Sequence, residues 1–333
     1  MHEMTIDRNC LVDLHLHLDG SISPSMARRL AKLGGQELLM SDSELEGHLC
    51  APRDCDDLNQ YLATFVFALA LLQTREQLSE CTRLLTEQMG NEGYLYAEIR
   101  FAPQSHGRLG LSQREAVEAV LKGIAQAPFS VGVILCCMRG DDTHEANVET
   151  VRLAAEYRDR GVVGLDLAGA EGLFPTRDYR ELFELAQQLG VNYTIHAGEA
   201  AGAESVREAL SFGTRRLGHG VRCLEDPALV ERIAQEQIAL EACPTSEIQT
   251  SIYSCYEEFP LRELLDAGVC LTINSDNLSV SRTNVRQELE HLQKDCGLRD
   301  EEVPQLLINA IQASFADEAL KAELVGHITE AFR

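Results

Sequence analysis

The chain has 333 residues, 45% of them hydrophobic and 25% charged, a balance found in soluble globular proteins and far from disordered or fibrous compositions. Its 53 acidic against 29 basic residues give a formal charge of −24, which repels phosphate backbones and anionic lipid headgroups, so neither nucleic acid nor membrane is expected as a partner. Eleven scattered cysteines, an odd number without a C-x-x-C pair for a structural zinc or redox site, point to a reducing cytoplasm. Residues 1–8 lack a basic stretch leading into an apolar one, and the most apolar run, residues 65–72, is too short to cross a bilayer, so an unexported protein is expected.

In chain order, short apolar runs at 11–16, 95–101, 130–138, 162–167, 191–195, 216–217 (the weakest), 238–242 and 269–273 read as eight strands. Amphipathic stretches at 113–125, 147–158, 178–189, 203–212, 227–235 and 258–267 separate them and read as helices. Strand–helix alternation of this kind implies parallel βαβ units. An open doubly wound sheet would alternate in the same way, but neither G-x-G-x-x-G nor G-x-x-x-x-G-K-[ST] follows any strand. The expected fold is therefore α/β, a single (β/α)8 TIM-type barrel of one domain over residues 1–333. A helical insertion after the first strand, about residues 24–88, is expected to cover the C-terminal mouth, where such barrels keep their active sites.

Chemistry enters at Leu14-His15-Leu16-His17-Leu18-Asp19-Gly20, where strand alternation projects His15 and His17 from one face. Alone, such a pair fits a half-polar strand just as well. Two further histidines end later strands, His196 before Ala197-Gly198-Glu199 and His219 in Leu217-Gly218-His219-Gly220, and Asp276 follows the eighth strand. A barrel brings strand ends remote in sequence to one mouth, so these five residues form a cluster there. Imidazole nitrogens with one carboxylate suit zinc better than magnesium or calcium, with iron and cobalt as the alternatives, and zinc is the metal expected. His2, His48, His106, His144, His291 and His327 lie outside this pattern and are read as surface or satisfied core residues.

The segments HLHLDGS, DLAGAE, HAGEA, GHGVR, CPTSEIQT and NSDN resemble those of the adenosine deaminase family of metal-dependent amidohydrolases, from the first strand to the eighth. The resemblance implies one zinc per chain held by His15, His17, His196 and Asp276, with a bound water as the nucleophile attacking purine C6. It makes Glu199 the general acid/base that carries a proton towards N1, and His219 and Asp276 the groups that orient the water. On the substrate side it implies His17, the Gly169 backbone N–H at purine N3, Asp19 at the ribose hydroxyls, and an apolar lid of Leu58, Tyr61, Leu62 and Phe65. Glycines at 169 and 20 are expected to let the backbone approach the ligand closely. The implied reaction is deamination of adenosine, and of 2'-deoxyadenosine, to inosine-type products plus ammonia. The ligand is then a small purine nucleoside; no motif bears on oligomeric state.

Two positions depart from the family's usual pattern. Asn277 stands where a second aspartate is common, and its amide donates to the N7 acceptor at any pH, whereas an aspartate donates only when protonated. Glu247 replaces an asparagine, and Leu278-Ser279 a proline position; these changes leave fine substrate choice open to adenine, 5'-modified adenosines or aminofutalosine-like compounds. A hydrolase of cyclic amides with two metals is disfavoured because none of Lys32, Lys122, Lys294 and Lys321 lies near 162–169, and the H-x-E with P-C-x-x-C signature of cytidine-type deaminases is missing. AMP would set its phosphate against Asp19. A non-catalytic purine-binding protein would not need Glu199 beside a full ligand set.

Overall fold

Strands buried on both faces need apolar side chains outward and partners for whatever points inward, and this requirement organises the chain. The computed structural model describes residues 10–52, 55 and 57–333. Its strands are β1 (Leu11–His17), β2 (Tyr94–Phe101), β3 (Ser130–Met138), β4 (Val162–Ala168), β5 (His196–Ala197), β6 (Arg216–His219), β7 (Ala239–Ala242) and β8 (Cys270–Ile273). All pair in parallel, β1 to β4 as one ladder and β5 to β8 as another. Single parallel bridges join the two ladders at both seams, Leu165 with Tyr193 and Leu16 with Asp276, the latter reinforced by His17 N–H to Asp276 O and Asp276 N–H to His15 O, each 2.8 Å. The result is the expected (β/α)8 barrel.

Fifteen helices are described: α1 (Pro24–Leu33), α2 (Asp42–Leu49), α3 (Leu58–Ala63), α4 (Phe65–Ala70), α5 (Arg75–Glu92), α6 (Gln113–Ile124), α7 (His144–Tyr157), α8 (Arg180–Gln188), α9 (Ala203–Ser211), α10 (Pro227–Glu236), α11 (Pro244–Gln249), α12 (Leu261–Asp266), α13 (Val285–Asp295), α14 (Val303–Ala313) and α15 (Glu318–Ala331). The expected insertion is α1 to α5. Of its inner helices, α3 starts on a sequence signal, Asp57 accepting from Gln60 N–H at 2.9 Å to cap it, whereas α4 follows after Thr64 without a side-chain cap.

The fifth strand departs from expectation. Residues 191–195 were to form it, yet regular pairing is confined to His196–Ala197. The segment hands its hydrogen bonds from one neighbour to the other: Asn192 and Thr194 bond Leu165 of β4, whereas Ile195 and Ala197 accept from Gly218 and Gly220 on the β6 side. No stretch is therefore flanked on both sides at once.

Inside the barrel the alternate positions are polar. Asp13, His15, Glu98, Arg100, Asp166, Arg216 and Glu241 are buried, while Leu14, Ile99 and Leu165 beside them join the apolar core. Arg100 of β2 reaches across to Asp166 of β4 at 2.9 Å and Glu241 of β7 at 2.8 Å. Arg216 of β6 pairs with Glu98 and Glu241 beneath them. Breaking such a pair strands a buried charge at about 3–5 kcal/mol, so these strands hold one another in register.

Candidate active site

At the C-terminal ends of the strands lies a cavity of about 300 Å³ whose wall includes His17, Asp19, Gly169, His196, Glu199, His219, Asp276 and Asn277. His15 lies immediately behind it, its ring centroid 4.5 Å from that of His196 and 5.0 Å from that of His219. The structure thus gathers every residue expected at the site.

The ligand atoms of His15, His17, His196 and Asp276 all lie within 4.8 Å of one another, a set that could hold a metal ion. Asp276 Oδ1 is 3.5 Å from His15 Nε2 and 3.4 Å from His17 Nε2, and the Nε2 atoms of His17 and His196 are 3.3 Å apart. Burial pushes His15 down to about 4 and His17 well below the usual imidazole value, which keeps both rings in the neutral form that binds metals. The far nitrogens face carboxylates, His15 Nδ1 hydrogen-bonded to Glu241 and His196 Nδ1 in ion-pair contact with Asp166, each at 2.8 Å. A proton on Nδ1 leaves a lone pair on Nε2, so unprotonated nitrogens face one another across a small gap, and His15 Nε2 is buried with no hydrogen-bond partner. A cation resolves that repulsion. His15, His219 and Cys243 also converge, but burial holds the Cys243 thiol well above its usual value and leaves it protonated, a poor ligand.

Glu199 is 4% exposed, and burial raises its carboxyl above the usual range, the direction a proton carrier needs. His219 Nε2 lies 3.6 Å from it, and His219 Nδ1 lies 3.4 Å from Glu247. Burial opposes the charge on His219, but Glu199, Glu247 and Asp276 outweigh it and push the imidazole up to about 10. His219 and Asp276 both adopt φ +59°, a left-handed backbone rare outside glycine, and such strain concentrates at functional sites. Asp19 Oδ1 is buried in the wall without a partner, and an acceptor in that position awaits a donor.

The structure corrects the expectation at Gly20 and adds detail at Asn277 and Glu247. The space at Gly20 serves Asn277 rather than a ligand, since a Cβ there would lie 1.6 Å from Asn277 Oδ1. Asn277 does not present its whole amide to the cavity, because Nδ2 donates to Tyr61 Oη at 2.8 Å, leaving one N–H. Glu247, which departs from the family's usual asparagine, is fully buried, accepts from Cys243 N–H at 3.0 Å and backs His219. The lid residues Leu58, Tyr61, Leu62 and Phe65 do line the cavity, and Tyr61 adds a hydroxyl 3.3 Å from Asp276 Oδ2 and 2.6 Å from Ser281 Oγ. Among the other histidines, His48, His144 and His327 are exposed, His106 is buried with Nδ1 on Leu72 O, and His2 lies outside the described residues.

Sequence reasoning missed Arg100, Asp166 and Glu241, although Asp166 and Glu241 are each the lone charge of an apolar strand run and Arg100 shares its run only with Glu98, and a charge in such a place must find a partner. It also missed Arg139, which lines the cavity with its terminal nitrogens committed to Phe174 O, Thr176 Oγ1 and His196 O.

A family model described as adenosine deaminase matches residues 10–331. An adenosine deaminase of Haemophilus ducreyi is 44% identical over 97% of this chain and 96% of its own length. Among solved structures, adenine deaminase from Arthrobacter aurescens superposes with a TM-score of 0.88 at 29% identity, covering 97% of this chain and 98% of that one. The Arabidopsis N6-mAMP deaminase does so with 0.86 at 26% identity, over 97% and 98% respectively.

Proposed function

Because the chain belongs to the adenosine deaminase family, we propose that its cavity hydrolyses adenosine, and 2'-deoxyadenosine, to the corresponding inosine and ammonia. The carrying observation is that Glu199, His219 and the His15, His17, His196 and Asp276 set converge on one cavity wall that also offers an unpartnered Asp19 oxygen.

We assign one zinc per chain to His15, His17, His196 and Asp276; when bound, it supplies the Lewis acidity that makes water nucleophilic near neutral pH. Glu199 takes a proton from the attacking water and delivers it to N1, so that the C6–N1 double bond opens as the C6–O bond forms. His219, whose Nε2 faces Glu199, stands where it can stabilise the oxygen as negative charge develops. Breaking the C6–N6 bond then releases ammonia, with the proton for N6 coming from the hydroxyl at C6 by way of Glu199. Gly169 N–H reads N3, the remaining Asn277 N–H reads N7, and Asp19 accepts from the ribose.

The same groups argue for the nucleoside over the alternatives. Free adenine carries no hydroxyl to satisfy Asp19, and among the described residues of the cavity wall a nucleotide finds no free arginine or lysine, since the terminal nitrogens of Arg139 are bound to the protein. A cytoplasmic setting accords with the cysteine usage. The test is a panel of adenosine, deoxyadenosine, adenine, AMP and methylthioadenosine, followed by loss of the 6-aminopurine absorbance, with metal analysis of the same sample. Adenosine turnover with one zinc per chain is expected; no turnover of any member by zinc-loaded protein would leave only a purine-binding role.

A further inference from the structure

The segment carrying Glu199 turns sharply after β5, with Gly198 at φ +80°, and four successive backbone N–H groups of residues 198–201 point to one spot. A row of amides bent in this way is an anion-binding concavity. Its occupant is the protein's own Glu171, from the loop after β4: Oε1 accepts from Gly198 at 2.8 Å, and Oε2 from Glu199, Ala200 and Ala201 at 3.0, 2.7 and 2.8 Å. Ser205 Oγ donates a fifth bond to Oε1 at 2.5 Å.

The direction of the bonds beyond Ser205 is forced. A carboxylate only accepts, so the Ser205 proton goes to Glu171. Thr176 must then donate to Ser205 Oγ at 2.7 Å, and Thr176 Oγ1 in turn accepts from Arg139 at 2.9 Å. Arg139 also bonds the His196 carbonyl at 2.7 Å, so one buried chain grips the loop at both ends. Bonds aligned head to tail strengthen one another. A second carboxylate this close to Glu199 is unfavourable by charge.

We propose that Glu171 is a positioning residue that acts through Glu199, fixing the backbone from which that carboxyl enters the cavity. This rests on the general acid/base role proposed for Glu199. The four amides and Ser205 saturate a carboxylate, whereas in Glu171→Gln an NH2 group meets N–H donors and the loop must shift; a displacement of about 1 Å at a reacting group costs on the order of a hundredfold in rate.

The test is a double-mutant cycle on the zinc-loaded enzyme, with turnover, inosine inhibition and zinc content read in wild type, Glu171→Gln, Glu199→Gln and the pair. Glu171→Gln is expected to lose turnover by roughly ten- to a hundredfold, with inosine inhibition and zinc content within about twofold, and to add almost nothing in the Glu199→Gln background. Ser205→Ala, which removes one donor and spares the four amides, is expected to lose less in the same direction and serves if Glu171→Gln does not fold. Losses that multiply in the pair, or wild-type turnover in both Glu171→Gln and Ser205→Ala, overturn the role of Glu171 alone. Near-normal turnover in Glu199→Gln overturns both roles.

Discussion

Asp166 and Glu241 determine what the neighbouring histidines can do, because each fixes which ring nitrogen carries the proton. Asp166→Asn keeps the size and one acceptor but loses the charge opposite His196 and Arg100, and zinc affinity should fall about 10- to 100-fold in a chelator competition, with turnover restored by added zinc. Unchanged affinity would separate this carboxylate from the metal site. Tyr61 provides a second test. Tyr61→Phe retains the ring but removes the partner of Asn277, so inhibition by inosine should weaken about fivefold, on the order of 1 kcal/mol, while 7-deazainosine, which has no N7, should bind unchanged. An equal change for both compounds would show that the hydroxyl does not act through Asn277. The cluster of His15, His17, His196, His219 and Asp276 could be picked out in the sequence because histidines and an acid closed apolar runs, whereas the part given to Glu199 came only with the family resemblance. The roles of Tyr61, Gly20 and Glu247 could not, since each depends on an atom more than 20 residues away: Tyr61 on Asn277, Gly20 on the same amide, Glu247 on His219.

At the scale of the element, seven strands were legible because the outward positions of a parallel strand under helices stay apolar, so each run is interrupted only by isolated polar residues. The fifth was not, because residues 191–195 have that composition while their hydrogen bonds divide between two neighbours, which no local pattern records. Charges inside strands misled in the other direction: Arg100 in an isolated β2 is an anomaly, and only closure supplies Asp166 and Glu241. The lid helices depend on short-range signals instead. Without the Asp57 cap, six-residue α3 should fray, a loss of about 1 kcal/mol. Asp57→Ala should therefore raise KM for adenosine with a melting temperature close to wild type, because α3 lines the cavity without being part of the barrel. A fall in kcat alone would argue against a lid role for α3.

The whole molecule has a pH dependence that the site does not set. Glu288 of α13 is fully buried, and burial raises its carboxyl to about 7, against bonds from Thr245 and Thr283 that lower it and a neighbouring Glu247 that raises it further. A carboxyl raised on folding holds its proton more tightly in the native state, so stability is full below the ordinary value of 4.5 and declines as pH rises towards 7. The loss reaches about 3 kcal/mol above that window. Glu288→Gln should therefore melt higher than wild type at pH 8 and lose that advantage at pH 5; parallel melting curves at the two pH values would refute the assignment.

The backbones of the two ladders meet through single bridges, and the proposed zinc ligands are shared between them: His15 and His17 on one, His196 and Asp276 on or just after the other. Bound zinc is then a rivet through both halves of the wall. Chelation should loosen the seams first, so amide exchange should quicken at His17 and Thr194 before it does in the middle of either ladder.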